Sequence, residues 1–217
     1  MKGETAMLNE VKNYFDVKGP QVAEAMKKRY FEAYYCSTAA EAVEKVLSLV
    51  PAEDSVAWGG SFTLNQLGIK DALRQRGQTL IDRDTVPAEK REEIMRQAVL
   101  ADTFLMSSNA ITEDGQLFNI DGTGNRVVAL CFGPKNVIVV AGMNKVVKDL
   151  DAAYSRVRNY VAPINAKRLG MDTPCAATGK CADCLSPQCI CSNMVTTRYS
   201  RPSGKIKVVL VGEELGF

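Results

Sequence analysis

The chain has 217 residues, of which 46% are hydrophobic and 24% charged, with 27 Lys and Arg against 25 Asp and Glu. This composition excludes disordered and fibrous proteins, and the length suits one substantial α/β core or two small domains. The net charge of +2 is too small to indicate binding to nucleic acid or to an anionic membrane.

Histidine is absent from the sequence. Catalysis by a histidine base, by a Ser-His or Cys-His pair, and metal binding through imidazole are therefore excluded. The sequence also lacks a run of about 18 apolar residues and the hydrophobic core of a signal peptide. We therefore expect a cytoplasmic protein whose thiols stay reduced.

The chain opens with a helical segment, residues 1–30, in which Gly19-Pro20 is expected to separate two short helices. The aromatic stretch 31–37 predicts a strand. Thr38 and Glu41 fit a capping box, and apolar residues at helical spacing follow up to Pro51. Residues 31–217 are predicted to form one α/β domain.

Strands and helices then alternate, which predicts βαβ units and a mixed sheet. Strands are predicted at 55–60, 77–82, 101–108, 127–132 and 136–142, with helices beginning at Ser61 and Pro87 and a longer helix at 149–169. Asp114-Gly115 is a hairpin signal. Pro163 is expected to kink the long helix and Gly170 to end it. Residues 193–212 predict two strands around a Pro-Ser-Gly turn.

Five of the seven cysteines lie in residues 175–191, namely Cys175, Cys181, Cys184, Cys189 and Cys191. The C-x2-C pair, with one or two further thiolates, predicts zinc or a four-iron cluster. The alternative is a set of unligated thiols or adventitious disulfides. Cys36 and Cys131 lie in strand patterns and are expected to be buried packing residues.

Short polar loops after the predicted strands are candidate anion sites, because open α/β sheets bind ligands at the carboxyl ends of strands. They are Gly59-Gly60-Ser61, the loop 121–126 and Met143-Asn144-Lys145. Glu213-Glu214 also follows a predicted strand, and its paired carboxylates could do acid/base or nucleophilic work. Glycines and an arginine in such loops suit a carboxylate or phosphate. The alternatives are ordinary turns, a solvated arginine, a helix cap and a charged tail.

Several stretches together resemble the LUD-domain (lactate utilisation) family over roughly residues 30–217. They are GGSFTLNQLGI, NAITEDGQLFNIDGTGNRVVALCFGPKNVIVVAGMNKVV, PCAATGKCADC with the later IC, and KIKVVLVGEELGF. The resemblance implies a fold like that of ribose-5-phosphate isomerase and CoA transferases, a Rossmann-like mixed sheet flanked by helices. Here it would carry a C-terminal cysteine-rich loop and hairpin.

The resemblance also implies a part in the oxidation of L-lactate to pyruvate by a flavin-independent iron–sulfur system of several proteins. The ferredoxin-like cysteine repeats of the longer iron–sulfur member are missing here. The cysteines that match the family pattern are Cys175, Cys181, Cys184 and Cys191. Cys189 departs from that pattern and is the alternative fourth ligand. An iron–sulfur cluster or zinc is the expected cofactor, with no flavin or nicotinamide motif.

No catalytic residue is transferred from the superfamily, because its catalytic glutamate matches no motif here. The expected ligand is a small carboxylate or phosphate, and the candidate binding residues are Gly59, Gly60, Ser61, Asn109, Asp121, Gly122, Gly124, Asn125, Arg126, Asn144, Lys145 and Glu213. Other lactate-utilisation subunits or a second copy of the chain are expected partners, without nucleic acid or membrane.

Three functions stay open on the sequence. The first is a component of organic-acid redox metabolism whose cysteines hold an iron–sulfur cluster or dock on a partner that holds one. The second is an isomerase-like or transferase-like enzyme with a structural zinc. The third is a non-catalytic subunit that only binds an anion.

Overall fold

Six parallel strands form the main sheet of this computed structural model, which describes residues 7–217. The strands are β1 (Glu32–Cys36), β2 (Ser55–Trp58), β3 (Thr79–Ile81), β4 (Thr103–Met106), β5 (Ala110–Thr112), β6 (Leu117–Asp121), β7 (Asn136–Gly142), β8 (Val146–Val147), β9 (Asn193–Thr197) and β10 (Ile206–Val211). The main sheet has the order β1-β10-β7-β4-β2-β3.

Helices cover both faces of this sheet and one side of a smaller one. They are α1 (Asn9–Lys27), α2 (Ala39–Leu49), α3 (Phe62–Gln66), α4 (Ile69–Gln75), α5 (Arg91–Ala98), α6 (Asn125–Cys131), α7 (Leu150–Arg156), α8 (Ala162–Arg168) and α9 (Pro174–Thr178). The predicted α/β class with a helix-flanked sheet is confirmed. The small sheet, in the order β8-β5-β6-β9, contains the antiparallel pairs, while the main sheet is wholly parallel.

The central strand β7 shows how the core is divided. Val137 and Val139 pack into the cluster beneath α1, α5 and α6, whereas Ile138 and Val140 pack into the cluster beneath α2, α3 and α4. Successive side chains of a strand point to opposite faces, so a strand buried on both faces is apolar throughout. A third cluster lies between the small sheet and α7, its π-helical extension Val157–Val161 and α8.

The expected break at Gly19-Pro20 is wrong, because α1 runs through both residues. Pro20 is exposed, while Phe15, Val22 and Met26 are buried on the other face. Gly19 lets α1 pack closely against Tyr35, since a Cβ at residue 19 would lie 2.2 Å from the tyrosine ring. Burial of the continuous apolar face therefore outweighs the cost of a proline inside the helix. The first six residues of the predicted segment 1–30 lie outside the described residues.

The strand expected at 127–132 is also wrong, because these residues belong to α6. Gly124 begins the helix in the left-handed conformation, with φ of 84°, and the Asp121 carboxylate accepts from the backbone N–H of Gly124 and Arg126 at 2.8 and 3.2 Å. These contacts satisfy N–H groups at the start of a helix. Cys131 consequently lies exposed on α6, whereas Cys36 is buried in β1 as expected.

The C-terminal hairpin is not formed. β9 pairs with β6 in the small sheet, and β10 lies between β1 and β7 in the main sheet. The Pro-Ser-Gly turn therefore lies on a connection between two sheets. Other expectations are confirmed: Asp114-Gly115 joins β5 to β6, and Gly170 ends α8 with φ of 67°. The predicted kink takes the form of the π-helical turn just before Pro163.

Candidate functional site

A cavity of about 330 Å³ lies where strands of the main sheet end, and we call it the strand-end cavity. Eight of the predicted binding residues line it, namely Gly60, Ser61, Asn109, Asp121, Gly122, Asn125, Arg126 and Lys145. The parallel order of the main sheet brings the segments after β2, β4 and β7 to one edge, and the end of β6 in the small sheet adds the loop 121–126. The cavity has the size of a small-molecule site.

The glycines after β2 allow two arginines to approach closely. A Cβ on Gly59 would lie 2.9 Å from Cγ and Cδ of Arg126, and a Cβ on Gly60 would lie 2.6 Å from a terminal nitrogen of Arg83. Ser61 begins α3, and its hydroxyl accepts from the Leu64 N–H at 3.3 Å. The two glycines therefore leave room for the arginines in the cavity wall, while Ser61 caps α3.

Arg126 is held in the cavity wall by acceptors of the protein itself. One terminal nitrogen donates to the Ser107 carbonyl at 3.1 Å and to Asn119 Oδ1 at 3.3 Å. The other donates to Asn109 Oδ1 at 3.0 Å and to the Ile120 carbonyl, and Nε lies 3.4 Å from Asp121. The two terminal nitrogens thus have four protein acceptors, and Nε lies beside a carboxylate. Burial lowers the pKa of Arg126, while Asp121 acts in the opposite direction.

Lys145 is nearly enclosed, with 4% of its surface exposed. Its Nζ donates to Thr63 Oγ1 and Ser107 Oγ, each at 3.0 Å, and no carboxylate among residues 7–217 forms an ion pair with it. Burial, followed by the charges of Arg156 and Arg126, lowers the pKa of Lys145 to about 7. An amine of this kind is protonated in part of the molecules at neutral pH and can accept or donate a proton.

Two further arginines line the cavity and were not identified from the sequence. Arg83 follows β3. It could have been predicted from the sequence, because the carboxyl ends of parallel strands meet at one edge of the sheet. Arg168 comes from α8, where it contacts Asn165 Oδ1 at 2.7 and 3.1 Å and lies over the Phe217 ring. No local pattern marks it, because tertiary packing decides which residues of a helix face a cavity.

The remaining predicted residues lie beside the cavity. Asn144 holds the C-terminal segment, since its Oδ1 accepts from the Leu215 N–H at 3.1 Å. A Glu213 oxygen accepts from the Ala39 N–H at 2.6 Å, at the start of α2, and so faces away from the cavity. Gly124 is the N-cap residue of α6. Gly216 and Phe217 line the cavity instead of Glu213.

The cluster of cysteines surrounds a second, smaller cavity of about 110 Å³, which we call the cysteine cavity. It is lined by all five cysteines of the C-terminal segment, Cys175, Cys181, Cys184, Cys189 and Cys191. All are free thiols. Burial, together with Cys189 and Cys175, raises the pKa of Cys191 to about 12. Arg158 lies at the rim and donates through Nε to the Cys181 sulfur at 3.0 Å.

The donor chemistry of the cysteine cavity fits a group bound by thiolates. Thiolates are the ligands of iron–sulfur clusters and, where imidazole is absent, of zinc. Within residues 7–217, no three Cys, Asp or Glu side chains stand where they would hold a metal ion as they are placed. A single tetrahedral zinc would bring thiolate sulfurs to about 3.8 Å from each other. The predicted cofactor stays a prediction.

The two cavities adjoin each other at Ile190. This residue lies between Cys189 and Cys191 in sequence and lines both cavities. Its Cα lies 3.3 Å from the point that a Cβ on Gly122 would occupy, so the loop 121–126 contacts the cysteine segment directly. One layer of residues therefore separates the cysteine cavity from the strand-end cavity.

The chain matches a described family of domains. The LUD domain model matches residues 19–211. The chain therefore belongs to the LUD-domain family. A comparison with curated proteins finds no match.

The solved structures that the comparison finds share little sequence with this chain. A duf162 family protein from Deinococcus radiodurans is 12% identical with a TM-score of 0.54, over 90% of this chain and 96% of that one. Ribose 5-phosphate isomerase A from Methanocaldococcus jannaschii is 15% identical with a TM-score of 0.35, over 61% and 66% of the two chains. For eIF2B delta from Chaetomium thermophilum the identity is 15%, the TM-score 0.34 and the coverage 50% and 48%.

The model contains no helix, within residues 7–217, that is both long and apolar enough to cross a membrane.

Proposed function

We propose that this protein binds a small organic acid of the lactate and pyruvate type in the strand-end cavity and takes part in its redox interconversion. It would act in this reaction together with other subunits of an iron–sulfur system, in the cytoplasm. The observation that carries the proposal is the shared wall at Ile190, which sets an anion-binding cavity beside a cavity lined by five thiols.

The charge of the strand-end cavity supports an anionic ligand. Four cationic side chains line it, Arg83, Arg126, Lys145 and Arg168, and Asp121 is the one carboxylate among the described lining residues. Asp121 is paired with Arg126. Arg83 has one long ion pair, with 3.9 Å between its Nε and Asp84, and Lys145 and Arg168 form none among residues 7–217, so these three cations can serve the ligand. An arginine or lysine in a partly enclosed site binds a carboxylate by charge-assisted hydrogen bonds.

The size and walls of the cavity favour a small carboxylate. The aromatic rings of Phe62 and Phe217, whose centroids are 6.2 Å apart, belong to its lining, together with Ile120 and Leu169. A volume of about 330 Å³ is at the lower end for ligand sites. Apolar walls around a few cations suit an anion with a short carbon skeleton.

The residues of this chain can perform the acid and base steps that such a reaction needs. Oxidation of a 2-hydroxy acid to a 2-oxo acid releases two electrons and two protons. Lys145 in its neutral form can accept the hydroxyl proton, while Arg83 and Arg168 hold the carboxylate. When bound, an iron–sulfur cluster would accept one electron at a time, so both electrons would leave in two successive transfers through it to the other subunits, and the second proton would go to solvent. Cys175, Cys181, Cys184 and Cys191 would hold the cluster, with Cys189 as the alternative fourth ligand.

Thiolates bind a four-iron cluster and a structural zinc alike. We propose the cluster because the five thiols surround a cavity of about 110 Å³ that adjoins the strand-end cavity. An electron acceptor is useful at that position, whereas a structural zinc supplies none.

The test is metal analysis and ligand binding on the same preparation. Protein purified without oxygen should contain iron and acid-labile sulfide in stoichiometric amounts, and should bind lactate and pyruvate by calorimetry. Arg83→Ala and Lys145→Met should weaken both affinities. Stoichiometric zinc without sulfide would favour the structural-metal alternative, and unchanged affinity in both variants would remove the anion site.

A further inference from the structure

Lys145 differs from the other buried lysine of the fold in having no acidic partner. Lys70 is 8% exposed and its Nζ lies 2.9 Å from Asp84. Lys145 instead contacts two hydroxyl groups, those of Thr63 and Ser107. A buried amine without a carboxylate loses its proton more readily than a paired one, and a neutral amine is a nucleophile.

The hydrogen bonds around Nζ leave one direction of the amine for a ligand. The Thr63 hydroxyl has the Leu215 carbonyl as a long acceptor at 3.5 Å, and the Ser107 hydroxyl has the Ser108 carbonyl at 3.4 Å. Both hydroxyl oxygens can therefore accept from Nζ. A neutral amine has two N–H groups and one lone pair, so these two acceptors use its N–H groups and leave the lone pair free.

Space for a reacting carbon exists beside Nζ because residue 216 is a glycine. A Cβ on Gly216 would lie 3.1 Å from Nζ and 2.9 Å from Thr63 Oγ1. Gly216 has φ of 64°, a conformation that favours glycine, and it lines the strand-end cavity. A side chain at residue 216 would therefore crowd Nζ, and the glycine leaves this side of the amine open to the strand-end cavity.

We propose that Lys145 forms an imine with the carbonyl group of a small 2-oxo acid whose carboxylate is held by Arg83 and Arg168. This inference rests on the proposed function and adds to it a covalent step that only the 2-oxo acid, with a carbonyl next to its carboxylate, can undergo. The pKa of about 7 supports it, since an ordinary lysine would be almost wholly protonated at neutral pH.

The reaction is balanced without an oxidant or reductant. Nζ forms a bond to the carbonyl carbon, and the carbonyl oxygen takes up one of the amine protons. The resulting carbinolamine loses its oxygen as water, which carries away the second amine proton, and a C=N bond forms. Uptake of a proton from solvent then gives the iminium. A 2-hydroxy acid such as lactate has no carbonyl and can bind without reacting.

The test traps the imine by reduction. The full-length protein is incubated with pyruvate and cyanoborohydride, and the product is measured by intact mass and peptide mapping. We expect one pyruvate-derived group per chain, located on Lys145, and a rate of labelling that rises with pH through about 7. The same treatment with lactate should give no adduct.

Two matched variants keep the outcome interpretable. Lys145→Arg keeps the charge but cannot form the trapped amine, so labelling should fall more than tenfold. Lys70→Arg changes the other buried lysine, outside the cavity, and should leave labelling unchanged. Lys145→Met provides a second variant if the arginine does not fit, and thermal unfolding shows whether each is folded.

Calorimetry on the same samples distinguishes a failure of the imine proposal from a failure of the proposed function. Binding of pyruvate without an adduct on Lys145, or labelling spread evenly over many lysines, would overturn the imine while leaving the anion cavity in place. Failure of both lactate and pyruvate to bind would overturn the imine together with the proposed function.

Discussion

Ile190 of the cysteine segment lies against Gly122 of the loop that follows β6, with its Cα 3.3 Å from the point that a Cβ on Gly122 would occupy. The contact joins the two features that the family resemblance emphasises. The glycine loop closes one side of the strand-end cavity, and the isoleucine separates that cavity from the five thiols. A side chain at residue 122 should therefore disturb both cavities.

Gly122→Ala tests this contact. The new methyl group would press on the backbone of Ile190, and overpacking of this kind costs about 1–3 kcal/mol. We expect a lower free energy of unfolding by chemical denaturation and less iron retained after anaerobic purification. Thr123→Ala, at the exposed neighbouring residue, is the control and should change stability by less than about 0.5 kcal/mol. Equal stability of both variants would show that the contact is not tight.

We expect Arg126 to contribute to the stability of the fold and not to ligand affinity alone. Arg126→Ala would leave Asp121 buried without its partner and remove donors from two backbone carbonyls and two asparagines. Breaking a buried pair costs about 3–5 kcal/mol, so we expect a marked loss in the free energy of unfolding. Arg83→Ala, at the cavity surface, should change stability by less than about 1 kcal/mol while weakening pyruvate binding. A greater loss of stability in Arg83→Ala than in Arg126→Ala would contradict this role of Arg126.

The titration of Lys145 predicts how stability depends on pH. Its pKa is about 7 in the folded protein, below the ordinary 10.5 expected for the unfolded chain. Between these values the unfolded state binds more protons, so Lys145 makes stability rise with pH across this window. Below about pH 7 both states are protonated and the contribution is constant.

Unfolding of the wild type and of Lys145→Met at pH 7 and pH 9 measures this contribution, because other titrating groups cancel in the difference. The wild type should gain relative to the variant by up to about 1.4 kcal/mol per pH unit. A difference that stays constant with pH would show that Lys145 titrates normally.

Replacing single cysteines tests the cysteine cavity separately, and a cysteine outside that cavity is the control. Cys184→Ser changes a thiol of the cysteine cavity, whereas Cys131→Ser changes the exposed thiol on α6. We expect iron and sulfide to fall sharply in the first variant and to stay unchanged in the second. Equal metal content in all three proteins would mean that Cys184 is not a ligand.

The parts of the fold that were predicted correctly have strong local signals. Strand β7 is apolar throughout because both of its faces are buried, and Thr38 caps α2 through a hydrogen bond of 3.3 Å to the Glu41 N–H. The strand-end loops were found because parallel strands bring their carboxyl ends to one edge.

The errors lie where distant contacts decide the local structure. The apolar stretch 127–132 suits a strand or a helix, and the choice depends on Asp121 and Gly124 at its start. Likewise β9 and β10 look like a hairpin locally, but β6 and β7 provide better-matched partners in different sheets. Arg168 reaches the cavity only because α8 packs against the small sheet, which no spacing of residues reveals.

The most direct test of the central claim is the electron paramagnetic resonance spectrum of the anaerobically purified, reduced protein, recorded with and without pyruvate. Since Ile190 separates the two cavities, pyruvate in the strand-end cavity should shift the signal of an iron–sulfur cluster in the cysteine cavity. The shift should be lost in Arg83→Ala. A protein that binds pyruvate by calorimetry but has no cluster signal, or a signal that pyruvate leaves unchanged, would contradict the account.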